Sequence, residues 1–335
     1  MQVRVIFYKA VPPRTLCRIP IGRWQAADRV HGIILVATGI QKGKHTDMAR
    51  TNKECPTPAG ILMLIGGKES KNEEKPEEKE MPSSYTPLEV LKKFVSLIRK
   101  DNPVVEVITS ASSEGEASFT EYKKIFKDLG ITKVNHIHHF QRQEVMANDL
   151  VDRIGKADAF YFSGGDQLKL TSLYGGTPFL TALKERYINE RIVVAGTSAG
   201  AMALSTPMIY AGNEEVQEIG GSIKITTGLE FVKDVCVDTH FNDRGRFVRM
   251  AQVIVTNPSS IGIGIGEDTA MIIRKGLEAE IIGTGVIIII DGFQIADSNV
   301  AQFTENKTVT IRDLRVHILS AGDKYIIPQV NPPHR

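Results

Sequence analysis

The stretch Ile192-Val193-Val194-Ala195-Gly196-Thr197-Ser198-Ala199-Gly200-Ala201 decides how the rest of the chain is read. Ile192–Ala195 is an apolar run of the kind that forms a strand buried on both faces. It enters Gly196-Thr197-Ser198-Ala199-Gly200, and small residues then open a helix at Ala201-Met202-Ala203-Leu204. A serine with glycine two positions to either side, between a strand and a helix, is the pattern of a nucleophile elbow. The sharp turn projects the hydroxyl from the sheet edge, and the glycines let neighbouring backbone approach. The helix start aims N–H groups at any oxyanion that develops there. Ser198 is the candidate nucleophile and the Ala199 N–H the first oxyanion donor. A tight strand-to-helix turn with an incidental serine has the same pattern, so the partners of Ser198 carry the decision.

Outward from this turn, strands and helices alternate. Gly60–Ile65 reads as a buried strand entering a Gly66-Gly67 loop, and residues 69–80, rich in Glu and Lys, read as a solvated loop. Helices are predicted over Pro87–Arg99, Phe119–Leu129, Glu144–Lys156 and Pro178–Asn189. Strands are predicted over Val104–Thr109, Val134–His138, Ala159–Phe162 and Arg191–Ala195. This order implies an α/β fold with a mostly parallel sheet flanked by helices. Beyond residue 206 additional β-strands dominate: Ile223–Thr227, Val235–Asp238, Ile261–Gly266, Ala270–Ile273, Ala279–Ile282, Gly285–Ile290 and Thr308–Leu319. Only Arg244–Val255 reads as helix there.

Residues 1–59 differ, with ten Lys and Arg against three acids and no sustained period. The expected organisation is a flexible basic extension over 1–59, one α/β domain over 60–325 and a tail over 326–335. The formal net charge of +2 gives no reason to expect nucleic acid as a partner. Cys17, Cys55 and Cys236 form neither a disulfide framework nor a metal-binding pair spacing. The apolar run Val286–Ile290 is far too short to cross a bilayer. No metal site and no membrane partner are expected.

A serine hydroxyl needs a base, and the base an orienting carboxylate. Of eight histidines, His240 has the richest polar company, in Asp238-Thr239-His240-Phe241-Asn242-Asp243-Arg244-Gly245-Arg246-Phe247-Val248-Arg249 at a strand end. Arg244, Arg246 and Arg249 sit at or near the start of the next helix, on a face away from its apolar residues, and suit carboxylate recognition. A solvated face paired with acids is the plainer alternative. The carboxylate candidate is Glu267 in Gly262-Ile263-Gly264-Ile265-Gly266-Glu267-Asp268, with Asp268 and Asp238 as competitors. Those glycines precede another strand, which disfavours a dinucleotide loop. The order Ser, His, Glu disfavours a conventional lipase or esterase. Phe162-Ser163-Gly164-Gly165-Asp166-Gln167 supplies a second oxyanion donor at Gly165 and, at Gln167, a group to bond a substrate amide or carboxylate.

Gly60–Gly67, Phe162–Gln167, Gly196–Ala201, Asp238–Phe241 with the three arginines, and Gly266–Ala270 together resemble the cyanophycinases of peptidase family S51. The resemblance covers about residues 60–325 and leaves 1–59 without a counterpart. It implies a flavodoxin-like fold related to class I glutamine amidotransferases, and a cytoplasmic, homodimeric, cofactor-free serine exopeptidase. Ser198 would be nucleophile, His240 base and Glu267 orienter. Gln167, Asp238, Arg244, Arg246 and Arg249 would bind cyanophycin, a poly-aspartate with arginine on each β-carboxyl, to release β-aspartyl-arginine. Thr239 departs from the family pattern, which has Gln there. Alternatives are an isoaspartyl or aspartyl dipeptidase of the same family and a non-catalytic polymer-binding member.

Overall fold

A computed structural model describes residues 56–72, 86–146, 149–212, 223–300 and 308–328. All but the last four residues of the predicted basic extension, and residues 329–335 of the predicted tail, lie outside the described residues. Thr57–Arg335 forms one compact unit.

The strands predicted before residue 200 form β1 (Ile61–Ile65), β2 (Val104–Ile108), β3 (Lys133–Ile137), β4 (Ala159–Phe162) and β5 (Val193–Thr197). They lie parallel in the order β1-β5-β4-β2-β3. Three antiparallel strands, Thr269–Arg274, Glu278–Gly283 and Lys324–Ile326, extend this sheet beyond β1. Alternate residues explain why it is covered on both faces. Leu62 and Leu64 share one core with Phe160, Phe162 and Val194. Ile61, Met63 and Ile65 share another with Ala159, Tyr161, Val193 and Ala195. Burying each such Leu or Ile contributes about 1.5–3 kcal/mol, so a one-residue slip of β1 would exchange its two faces.

Val235–Thr239 and Ile261–Ile265 do not join that sheet. They pair in parallel at the centre of a second, six-stranded sheet, between Ser205–Thr206 and Ile287–Asp291. Periodicity identified these strands but carries no information on which sheet receives them.

Other departures are local. The second helix begins at Gly115, one turn before Phe119. The predicted Glu144–Lys156 helix appears as Arg142–Val145 and Asp149–Lys156, on either side of residues 147–148, which are not described. The predicted Thr308–Leu319 strand is two pieces, Ile311–Arg312 and Arg315–Leu319, separated where Asp313 holds φ 62°. A helix over Gln167–Tyr174, given no range in the sequence, is capped by Asp166, whose side chain accepts the Leu168 N–H, the capping role the sequence also offered for this residue.

The predicted solvated loop at 69–80 is wrong at its first residue. Glu69 is buried, at 4% exposure. Its carboxylate accepts hydrogen bonds from Tyr122 (2.5 Å), Tyr161 (3.0 Å) and Thr197 (2.7 Å). Burial and then the Glu69 charge hold both phenols well above their usual range, so they remain donors. Three hydroxyl bonds offset the desolvation that keeps most glutamates outside. Residues 73–80 of that loop lie outside the described residues.

Candidate active site

The C-terminal ends of β1, β4 and β5 meet the ends of Val235–Thr239 and Ile261–Ile265 at the junction of the two sheets. Backbone bonds stitch this junction. Ser198 N–H donates to Ile65 O (3.0 Å), His240 N–H to Gly66 O (2.9 Å) and Asp268 N–H to Gly67 O (2.9 Å). The parallel register sets Thr239 beside Ile265, which brings the residues following each strand to the same edge.

Ser198 occupies the turn between β5 and the helix Ala199–Ala203 with φ 53° and ψ −121°. His240 also holds a positive φ, 50°. Non-glycine residues reach such conformations at a cost of about 1–3 kcal/mol and keep them only where surrounding structure dictates it. Gly67 is part of that surrounding structure: a Cβ there would lie 2.4 Å from His240 Cε1, so only glycine lets β1's loop back onto the imidazole.

The three side chains form a line. Ser198 Oγ lies 2.9 Å from His240 Nε2, and His240 Nδ1 lies 2.8 Å from Glu267 Oε1. Both distances are within hydrogen-bond range. An imidazole protonated on Nδ1 would donate to Glu267 and accept from Ser198, the tautomer a general base needs. Of the competing acids, Asp268 turns away to accept bonds from Ser70 N–H (2.9 Å) and Thr284 Oγ1 (3.0 Å). Asp238 is committed to arginines, as described below. Partial burial pushes the Glu267 carboxyl up, but hydrogen bonds from Lys68 and then His240 outweigh it and hold the group below its usual range. Glu267 is therefore ionised at neutral pH. Lys68, whose Nζ is 2.9 Å from Glu267 Oε1, was not singled out in the sequence. It sits among residues read as a loop, and no pattern there signals contact with residue 267.

Ser198 and His240 open into a cavity of about 170 Å³ lined also by Gly165, Gln167, Ala199 and the three arginines. Gly165 and Ala199, expected as the oxyanion donors, line the same cavity as Ser198. Gln167 is held by its amide donating to Ile209 O at 2.9 Å. Asp238, expected to touch substrate, is fully buried and does not line the cavity. It lies against the arginines instead: Arg246 Nη1 donates to its Oδ1 at 3.0 Å, and Arg249 Nε is 3.0 Å from Oδ2. Burial pushes this carboxyl up, while Arg249 and then Arg246 oppose the shift. With two guanidiniums at that range, the ionised form is the one that fits. Arg246 and Arg249 are themselves only 6% exposed, so they form the cavity floor, whereas Arg244 is exposed at its rim. The solvated-face alternative thus fails for Arg246 and Arg249. Tyr210 and Met202 also line the cavity; Tyr210 comes from the short strand Met208–Ala211, which the sequence did not reveal. Among the described residues no group of His, Cys, Asp and Glu side chains is arranged to hold a metal ion, and no helix is long and apolar enough to cross a membrane.

The sequence model of Peptidase family S51 matches residues 80–282. The chain is 30% identical to a cyanophycinase of Synechococcus elongatus over 320 residues, 92% of this chain and 94% of that one. It is 29% identical to a cyanophycinase of Nostoc sp. (strain PCC 7120) over 241 residues, covering 72% and 81%. The Synechococcus match is too long to fit within residues 60–335, so the expectation that 1–59 lacks any counterpart is corrected. Among solved structures, a peptidase from an acI-B1 Actinobacterium shares the fold at TM-score 0.55 and 24% identity, over 81% of this chain and 98% of that one.

Proposed function

The chain belongs to peptidase family S51 and is a serine-type peptidase, and from that premise we propose that it hydrolyses the poly-aspartate backbone of cyanophycin to β-aspartyl-arginine dipeptides. The observation that carries this is the line Ser198–His240–Glu267 opening onto a cavity floored by Arg246 and Arg249. The line can activate a hydroxyl, and the floor suits a substrate bearing carboxylates.

In the proposed reaction, Ser198 Oγ attacks an aspartyl carbonyl carbon as its proton passes to His240 Nε2. The Gly165 and Ala199 N–H groups hold the resulting oxyanion, each worth roughly 3 kcal/mol in comparable sites. Collapse breaks the C–N bond, and the imidazolium returns its proton to the departing amine. Water, deprotonated by the same imidazole, then attacks the acyl-enzyme ester and frees Ser198. Glu267 keeps the imidazole oriented and stabilises its charged form. Asp238 holds Arg246 and Arg249 in place, while Gln167 and Arg244 contact substrate from the cavity wall and rim. In the same reading, residues 60–325 act as one peptidase domain behind a basic extension. The enzyme is a cytoplasmic homodimer needing no cofactor.

Incubation with purified cyanophycin and mass analysis of the products tests this. The expected result is accumulation of β-aspartyl-arginine. Turnover of isolated β-aspartyl or α-aspartyl dipeptides with the polymer left intact would replace this reading with that of a dipeptidase.

A further inference from the structure

Glu267 Oε1 has two cationic or potentially cationic neighbours. His240 Nδ1 approaches it at 2.8 Å and Lys68 Nζ at 2.9 Å. The Lys68 side chain is 69% exposed, and ion pairs that exposed add little to stability. A purely structural purpose for the contact is therefore weak.

The backbone around Lys68 is far less free than its ammonium. Gly67, just before it, packs against the His240 ring. Glu69, just after it, is buried and takes three hydroxyl hydrogen bonds, one from Thr197 beside the nucleophile. Lys68 itself holds φ 46° between these anchors. The loop is thus pinned on both sides of a lysine whose only ion-pair partner among the described contacts is the carboxylate that faces the imidazole.

We infer that Lys68 is a positioning residue for the acid of the Ser198–His240–Glu267 line, anchoring the Glu267 carboxylate and competing with His240 for the same oxygen. The inference deepens the proposed function and rests on it. Its consequence is electrostatic. An ammonium on Oε1 withdraws part of the support the carboxylate gives an imidazolium, and its own charge repels that imidazolium. Both effects bear on the His240–Glu267 contact, so the charge at position 68 sets how firmly Glu267 supports the imidazole.

Other charged groups face this point. Arg244, Arg246 and Arg249 line the same cavity. Asp238 lies behind them, and the Asp243 carboxylate receives the Glu267 N–H at 3.4 Å. Asp268 faces Ser70 and Thr284. None of these contacts includes the Lys68 side chain, so a shift on its replacement reports on the ammonium.

Lys68→Met and Lys68→Gln should move the acid limb of the kcat/KM profile to higher pH by roughly half a unit to one unit, the lower part of the range for a charge this close because the site is exposed. Lys68→Arg should keep the limb where it is. The same shift should appear in the NMR titration of the His240 ring on a Ser198→Ala background, which needs no turnover. An unmoved His240 titration in Lys68→Met, or an equal shift in Lys68→Arg, would overturn the inference. Absence of Ser198-dependent hydrolysis in the parent enzyme would instead defeat the proposed function, and the ring titration would still decide the role of Lys68.

Discussion

Replacing Ser198 by alanine should lower kcat for peptide hydrolysis by about 10³- to 10⁶-fold, with the melting temperature nearly unchanged. The size follows from what remains. His240 and Glu267 keep their contact, and Gly165 and Ala199 keep their places, but nothing is left to form the acyl-enzyme. Two nearby nucleophile types are already out of play. Cys236 is fully buried and its thiol is pushed up by that burial, so it supplies no thiolate. The Thr197 hydroxyl donates to Glu69 rather than facing the cavity. Stability should hold because alanine is no worse than serine at φ 53° and the lost hydroxyl bond lies in a solvent-accessible cavity. Rates on cyanophycin, with a serine-directed phosphonate to map the labelled residue, check this. Parent-level hydrolysis in Ser198→Ala, or labelling elsewhere, would remove Ser198 from the mechanism.

Asp238→Ala should damage both fold and binding. The substitution leaves two guanidiniums, each 6% exposed, without the carboxylate they share. Breaking a buried pair in this way costs about 3–5 kcal/mol, which for a domain of this size lowers the melting temperature by roughly 5–10 °C. Arg246 also donates to Thr239 O at 2.7 Å, next to His240, so its loosening should reach the base. The expected signature is a raised KM together with a lower melting temperature, measured by kinetics and calorimetry. A variant as stable as the parent would show that other contacts of the arginines hold the floor. Asp238→Asn, which keeps the shape and removes the charge, should fall between the two.

Much of this architecture was legible because its causes are local. β1 and β5 read as buried strands since both faces are covered, and Gly196–Gly200 marked the turn because a serine can be presented there in few other ways. His240 and Glu267 were found through the polar residues at their strand ends. What stayed hidden depends on distant partners. Glu69 looks like the first residue of a charged loop, and only Tyr122, Tyr161 and Thr197, far along the chain, make it a core residue. Asp238 and the arginines were noticed, but their division of labour was not, because burial of a carboxylate beneath guanidiniums leaves no periodic trace. The alternating glycines of Ile261–Ile265 resembled a phosphate loop for a different reason. A Cβ at Gly264 would lie 2.3 Å from the Phe241 ring, and one at Gly262 would lie 2.5 Å from Met250. They are bare so that Phe241, beside the base, and Met250 of the helix that follows can lie flat on the neighbouring strand.

Lys68, Ser198, His240 and Asp268, each on a different loop, all hold left-handed backbone at one edge. Such backbone is uncommon for any residue but glycine, so the four loops depend on one another to keep it. Grafted into another scaffold, the elbow Gly196–Ala201 would relax and its hydroxyl would point elsewhere. The chemistry is therefore not portable as a motif. A transplant would have to carry the seam between the two sheets, with β1, β5, Val235–Thr239 and Ile261–Ile265 arriving together.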